Sequence, residues 1–327
     1  MLTVFAVLVS SALGGSVDVT PARNAWGFKL GIGEQQAYMF SDPRFEALGV
    51  EHVRVVTPYD VACHPGRHLY WLDVWLAEAA RVGARPLVAF SFSWRRGRMW
   101  KLPSYRAFVK CFRAFRARYP HVREFNAWNE PNHSSQPTFR HPKRAAGYYN
   151  AVRRVCPRCT VPAGDLLDWR LDGTWLERYR EHLRGRPRLW SMHNYVDINR
   201  RRGWRGSGTA DLLRRTRGKL WITETGGVVR SLRNAHNERR AARATRKMFR
   251  FAWRSSRITR VYAYQWQAAC GRRARWDSAW FRSDGSARPS YRVIVAQLAR
   301  ERGLDAAARA ALNPPLGPAM RNSCKNP

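Results

Sequence analysis

The sequence Arg-Glu-Phe-Asn-Ala-Trp-Asn-Glu-Pro-Asn, from Arg123 to Asn132, decides the predicted fold. Its first part, through Trp128, is short and rich in aromatic residues, which is typical of a buried strand. Pro131 cannot donate to a sheet ladder, so the strand should end before it. Glu130 is therefore expected at the carboxyl end of a strand, where α/β folds position functional side chains.

A second strand-like run has the same design. It reads Leu-Trp-Ile-Thr-Glu-Thr-Gly-Gly, from Leu220 to Gly227, and places Glu224 just before two glycines that should end the strand. Two glutamates at two strand ends suit glycoside hydrolysis. One carboxyl group donates a proton, and the other attacks the sugar or activates water.

Eight strand-like segments alternate with eight helical segments along the 327-residue chain. The strands are predicted at 27–32, 52–56, 86–92, 123–128, 160–164, 189–194, 220–224 and 261–266. The helices are predicted at 41–49, 68–82, 104–119, 142–155, 173–183, 210–217, 238–253 and 289–300. This alternation favours an α/β fold with a single (β/α)8 TIM barrel over residues 20–305. A doubly wound sheet is the alternative, but no glycine-rich phosphate loop follows the first strand.

The formal net charge of +36 is extreme, with 59 Lys and Arg residues against 23 Asp and Glu. A nucleic-acid binder gathers its basic residues on one face. Here they follow the strands at some places and precede them at others, so both ends of the barrel should be basic. We interpret the charge as a bias of composition and expect no specific nucleic-acid partner.

The two ends of the chain differ from the middle. Leu2 to Val9 is an apolar run followed by small residues, which indicates a secretory signal over residues 1–16, although no Lys or Arg precedes the run. A buried first element or a leader truncated at its start is the alternative. The run is too short for a transmembrane anchor. Residues 306–327 end in a segment rich in Pro and Asn, which favours a C-terminal tail.

Six cysteines fit an oxidising compartment, although their pairing cannot be deduced from sequence. The Cys156-Pro-Arg-Cys159 segment has the spacing of a redox pair or of half a zinc site. No thioredoxin-like pattern surrounds it, and no second pair lies at the usual zinc spacing. A structural disulfide or two ordinary thiols is the preferred interpretation.

The segments Ala127-Trp-Asn-Glu-Pro-Asn132 and Trp221-Ile-Thr-Glu-Thr-Gly226 resemble the two signatures of clan A retaining glycoside hydrolases. Families 5 and 39 of that clan are the most similar, and the resemblance covers residues 27 to 300. It implies that Glu130 is the acid/base and that Glu224 is the nucleophile. It also implies retention of anomeric configuration.

The resemblance assigns roles to five further residues. Arg54 and Tyr195 would donate to Glu224, and His193 would line the sugar site, since His193-Asn-Tyr195 is similar to the clan's His-x-Tyr at strand six. Asn129 would hold the sugar 2-hydroxyl, and Trp266 would form the platform under the sugar. Packing in the core is the alternative for His193 and for Trp266.

The tryptophans of the predicted loops do not identify the substrate. Trp94, Trp100, Trp169 and Trp204 follow predicted strands and would form either outer subsites or rim packing. The clan often has His or Asn at the end of strand three, where this chain has Ser91-Phe-Ser-Trp94. This departure leaves the family within the clan undetermined.

The chemistry demands different environments for the two glutamates. We expect the pKa of Glu130 to be raised by burial and by the negative charge of Glu224, which itself should stay ionised. Two carboxyl groups and water suffice, so no metal or cofactor is expected. The sequence thus predicts a secreted, monomeric, retaining O-glycoside hydrolase with a carbohydrate substrate. The alternatives are a transglycosylase, a non-catalytic carbohydrate-binding barrel and a cationic surface protein.

Overall fold

The computed structural model describes residues 27–168, 173–269 and 276–315. The predicted signal at 1–16, Trp169, Cys270, Cys324 and the end of the predicted tail lie outside these residues. No helix of the described part is long and apolar enough to cross a bilayer.

Parallel strands form the centre of the molecule. They are Lys29–Gly33 (β1), His52–Pro58 (β2), Arg85–Ser91 (β3), Glu124–Asn126 (β4), Ala163–Leu167 (β5), Leu189–His193 (β6), Lys219–Thr225 (β7) and Ile258–Tyr264 (β8). Their order in the sheet is β4-β3-β2-β1-β8-β7-β6-β5. Thr160 connects the two edge strands, because its carbonyl accepts from the Phe125 amide at 3.0 Å and its amide donates to the Arg123 carbonyl at 2.8 Å. The strand order and this closure confirm the predicted (β/α)8 barrel.

Helices cover the outside of the sheet. They are Pro43–Leu48 (α1), Arg67–Arg81 (α2), Tyr105–Arg118 (α3), Pro142–Val155 (α4), Gly173–Glu181 (α5), Tyr195–Asn199 (α6), Gly208–Arg215 (α7), Glu238–Ala252 (α8), Pro289–Arg302 (α9) and Ala306–Ala311 (α10). The eight predicted helices are all present. As predicted, Asp42 caps α1 by accepting from the Arg44 amide at 3.0 Å, and Gly49 ends it at a φ of 57°.

An aromatic cluster packs α3 against β3 and β4, the strand that precedes the loop of Glu130. Phe112 and Phe115 of α3 meet Phe90 of β3, with ring centroids 5.7 and 5.1 Å apart. Phe112 also meets Phe125 of β4 at 5.2 Å. Each buried ring stabilises the fold by about 1.5–3 kcal/mol. The loop after β4 therefore starts from a rigid base.

The predicted strands agree with the structure to within two residues at each end, except for the fifth and the eighth. The fifth strand runs over Ala163–Leu167 rather than 160–164, because Thr160 bridges to β4 and Gly164 takes a φ of 100°. The eighth strand runs over Ile258–Tyr264 rather than 261–266, so it ends two residues earlier than predicted. Both shifts change which side chains reach the mouth of the barrel.

Loops and disulfides tie the outer layer together. Arg230–Ser231 pairs with Trp276–Asp277 in a short antiparallel ribbon that joins the loops after β7 and β8. Cys63, after β2, is bonded to Cys111 of α3, and Cys156 is bonded to Cys159. The Cys156–Cys159 pair is thus a disulfide, one of the two preferred interpretations.

Candidate active site

The two glutamates lie together at the carboxyl end of the barrel. Glu224 is in β7, and Glu130 is in the loop after β4. Their side chains are 13% and 19% exposed, so both reach solvent. His193 of β6 lies against both, with Nδ1 at 3.0 Å from Oε1 of Glu130 and 3.8 Å from Oε2 of Glu224. The two carboxyl groups therefore border one small space at the mouth.

Glu224 is held by two donors from two other parts of the barrel. Nη1 of Arg54 donates to its Oε2 at 2.7 Å, and Oη of Tyr195 donates to its Oε1 at 2.9 Å. Each carboxylate oxygen of Glu224 therefore has its own donor, and the bond from Arg54 is charge-assisted. Burial and the negative charge of Glu224 raise the pKa of Tyr195, so its hydroxyl keeps the proton that it donates.

The loop that carries Glu130 has an unusual backbone. Glu130 has a φ of 46°, in the left-handed region that few residues other than glycine adopt. Its amide donates to the Asp165 carbonyl at 3.0 Å, and the Asn129 amide donates to the Phe90 carbonyl at 2.6 Å. These bonds fix the left-handed turn and aim both side chains toward the mouth.

His193 is completely buried between carboxylates. Its Nδ1 faces Glu130, and its Nε2 lies 3.4 Å from Oδ1 of Asp165. Burial would lower the pKa of this imidazole, but the negative charges of Asp165 and Glu224 raise it to about 10. At neutral pH His193 is therefore a cation that donates to Glu130.

The His193 cation corrects the expectation that the pKa of Glu130 is raised. Burial raises the pKa of Glu130, but the hydrogen bond and the charge of His193 together outweigh burial and leave that pKa below its usual value. The sequence indicates Glu224 as the charged neighbour of Glu130, whereas the structure places the His193 imidazole against the carboxyl group.

Comparisons with known proteins bear on the fold. No protein-family model matches the sequence, and no curated protein matches it. Solved structures do match. The chain has the fold of known glycoside hydrolases. A family 39 glycoside hydrolase from the gut symbiont Bacteroides cellulosilyticus superimposes with a TM-score of 0.57 at 15% identity, over 84% of this chain and 65% of that one. This chain therefore spans about two thirds of that hydrolase.

Two further structures give the same result. The GH5_18 protein of Streptomyces cattleya, solved with GlcNAc, matches with a TM-score of 0.58 at 16% identity, over 86% of this chain and 81% of that one. A GH113 beta-1,4-mannanase matches with a TM-score of 0.53 at 17% identity, over 84% of this chain and 98% of that one. The barrel is thus similar to glycoside hydrolases of several families.

Arg54 and Asn129 lie at different depths in the site. Arg54 is 1% exposed and lies beneath the glutamates, as His193 does, so neither side chain faces the solvent from which a sugar would enter. Asn129 is half-buried and accepts from Nη2 of Arg54 at 2.7 Å through its Oδ1. No described residue pairs with Nδ2 of Asn129, so this amide can donate into the mouth.

The structure corrects the prediction that Trp266 forms the platform under the sugar. Its side chain has no exposed surface, and its ring packs against Phe281 at 4.8 Å while Nε1 donates to Oδ2 of Asp42 at 3.1 Å. A buried indole cannot stack on a sugar, so the core alternative is correct. The half-buried Tyr264 ends β8 instead, and burial together with the negative charges of Glu224 and Glu34 raises the pKa of its hydroxyl.

Asp165 belongs to the site although the sequence does not predict it. This residue is fully buried in β5, beneath both glutamates, and it contacts Arg54, His193 and Thr223. An aspartate inside an apolar strand, directly after glycine, was the available signal. The predicted strand ended at Gly164, which left Asp165 in a loop.

The aromatic residues of the rim have different surroundings. Trp276 is 40% exposed, and its ring meets the ring of Tyr195 edge-on at 4.9 Å. Trp100 is exposed in the loop after β3. Trp94 packs against His68, and Trp204 packs against Phe251. Trp276 is thus the rim tryptophan that contacts Tyr195, a hydrogen-bond donor to Glu224.

Within the described ranges, no cluster of His, Cys, Asp and Glu side chains could hold a metal ion.

Proposed function

We propose that this protein is a retaining O-glycoside hydrolase that acts on an oligo- or polysaccharide. The observation that carries the proposal is the contact of Glu130 and Glu224 with the same ring nitrogen of His193, at 3.0 and 3.8 Å. Two carboxylate oxygens that both contact one nitrogen atom cannot lie far apart, which supports the short separation of retaining enzymes, about 5–5.5 Å. The likeness of the barrel to glycoside hydrolases supports the same reading.

In the first step, Glu224 attacks the anomeric carbon while Glu130 protonates the leaving oxygen. Arg54 and Tyr195 each bond one oxygen of Glu224, which orients the nucleophile. In the second step, Glu130 takes a proton from water, and that water releases the sugar from Glu224. The His193 cation stabilises the carboxylate form of Glu130 that this second step needs.

Three groups are suited to hold the sugar. Nδ2 of Asn129, which pairs with no side chain or carbonyl of the described residues, can bond the 2-hydroxyl, a contact that strengthens in the transition state. Tyr264 offers an aromatic ring beside Glu224, and the exposed ring of Trp276 offers a second surface nearer the solvent. Apolar sugar faces pack on aromatic rings of this kind.

Hydrolysis can be tested by screening aryl glycosides and plant, fungal and bacterial polysaccharides. The wild type should release sugar from at least one of them, and Glu224→Gln should lose turnover by several orders of magnitude while keeping its fold. Saturable carbohydrate binding with no turnover would instead support the non-catalytic barrel. Transfer to an added sugar in preference to water would support the transglycosylase.

We also propose that the protein is exported. Two disulfides suit an oxidising compartment, and the apolar run near the amino terminus suits a cleaved signal. Amino-terminal sequencing of protein from the culture medium should find a start between about residues 13 and 25. Protein that stays in the cell and begins at Met1 would contradict export.

A further inference from the structure

Asp165 has a backbone geometry that sets it apart from the rest of β5. It is the residue at which the pairing of β5 with β6 loses its regular register, since Gly164 pairs with Ser191 and Leu166 with Met192. It also has a φ of 65°, in the left-handed region. Irregularities of this kind re-aim side chains next to functional sites.

The Asp165 carboxylate is surrounded by donors. Oδ2 accepts from Nη2 of Arg54 at 3.0 Å, and Oδ1 accepts from Oγ1 of Thr223 at 2.5 Å. Nε2 of His193 lies 3.4 Å from Oδ1. The main chain adds two bonds, because the Asp165 amide donates to Oγ of Ser191 at 2.9 Å and its carbonyl accepts from the Glu130 amide.

Two cations meet at this carboxylate. Nη2 of Arg54 and Nε2 of His193 are only 3.2 Å apart, so Nη2 donates to Nε2 when the imidazole is neutral, whereas two donors face each other when it is charged. Two donors at this distance repel each other unless an anion lies against both. Asp165 is that anion, since its two oxygens face the two nitrogens.

We propose that Asp165 is a positioning residue that holds Arg54 against Glu224 and His193 against Glu130. The proposal rests on the function proposed above. Arg54 uses Nη2 for Asp165 and Nη1 for Glu224, and His193 uses Nε2 for Asp165 and Nδ1 for Glu130. One buried carboxylate beneath the site therefore orients both glutamates without touching the substrate.

The charge of His193 gives a readout that a purely structural role would not change. The ionisable groups facing the imidazole are Arg54 of β2, Glu130 after β4, Asp165 and the nearby Asp168, and Glu224 of β7. Asp165 is the carboxylate nearest Nε2, so its removal should let His193 lose its proton at a lower pH.

Asp165→Asn removes the negative charge of the side chain and leaves its size nearly unchanged. Asparagine also tolerates the left-handed backbone, so the bulge should persist. Nitrogen NMR of labelled histidine should show His193 charged between about pH 5 and 8 in the wild type and losing its proton within that range in Asp165→Asn. For the substrate found in the screen, kcat should fall about 100-fold with a smaller change in KM.

Glu124→Gln is the matched control. Glu124 also pairs with an arginine, Arg260, but it lies at the start of β4, at the opposite end of the barrel. This variant should lose stability and leave both the His193 titration and kcat unchanged. If Asp165→Asn does not fold, Thr223→Val removes the donor that shares Oδ1 with Nε2 of His193, and His193 should then lose its proton at a higher pH than in the wild type.

A His193 titration in Asp165→Asn that matches the wild type overturns the proposal. A kcat within about twofold of that of the active wild type overturns it as well. A wild type that hydrolyses no glycoside contradicts the proposed function alone, and the NMR titration then decides the role of Asp165.

Discussion

Nδ1 of His193 lies 3.0 Å from Oε1 of Glu130, so the proposed acid/base is bonded to a buried cation. The arrangement favours the carboxylate form of Glu130. It helps the step in which Glu130 accepts a proton from water and opposes the step in which Glu130 must donate one. The pH dependence of turnover should therefore depend on the contact between His193 and Glu130.

We predict an acidic pH optimum. Protonated Glu130 becomes scarcer as the pH rises, and because its pKa is lowered, kcat/KM should decline on the alkaline side already below neutral pH. His193→Gln removes the positive charge, so the pKa of Glu130 should rise and the alkaline limb should move to higher pH. The measurement is the pH profile of kcat/KM for both proteins.

His52→Gln is the control for this profile. His52 is also buried, but it lies at the opposite end of the barrel, and burial and nearby arginines lower its pKa to about 3. It is neutral over the working range, so its replacement should leave the limb in place. An alkaline limb that stays fixed or moves to lower pH in His193→Gln would contradict the role of the cation.

Glu130→Ala should discriminate between leaving groups. Activated aryl glycosides need little protonation, so their turnover should fall much less than that of the natural substrate. The comparison of kcat/KM for the two substrate types in wild type and variant tests this. Equal losses on both would remove Glu130 from the acid/base role.

Trp276→Ala should weaken substrate binding. Loss of a stacked ring of this kind costs about 1 kcal/mol, which raises KM about fivefold and leaves kcat nearly unchanged. Trp253→Ala is the matched control, because Trp253 is 43% exposed but follows α8 at the far end of the barrel. An equal KM for both variants would exclude Trp276 from the substrate site.

The Cys63–Cys111 disulfide should stabilise the fold. It closes a loop of 48 residues, so Cys63→Ser with Cys111→Ser should lower the free energy of unfolding by about 4 kcal/mol. Cys156→Ser with Cys159→Ser opens a separation of only 3 residues and should cost about half as much. Denaturant titration of both variants gives the comparison, and equal losses would contradict the loop argument.

The sequence predicts the barrel well because its helices obey local rules. The α1 helix begins at the Asp42 cap with Pro43 in its first turn and ends at Gly49, all of which can be read without tertiary context. Glu224 follows from a similar local signal, since the two glycines after Thr225 mark the end of β7, whereas β4 ends at Asn126 and leaves Glu130 in the loop before Pro131.

The missed features depend on contacts between distant strands. Asp165 reaches the site because the register of β5 shifts at this residue, and no spacing in the sequence indicates such a shift. The apolar run before Trp266 predicts that this residue ends the eighth strand, but β8 ends at Tyr264 and the indole of Trp266 is buried in the core. The lowered pKa of Glu130 arises from His193, 63 residues away in the chain.

The anomeric configuration of the first product tests the central claim most directly. If Glu224 attacks the sugar and water later displaces it, two inversions give net retention. Proton NMR of the reaction, recorded before mutarotation, should show the product with the anomeric configuration of the substrate. A product of inverted configuration would contradict the double displacement by Glu224 and Glu130, even though the barrel itself would stand.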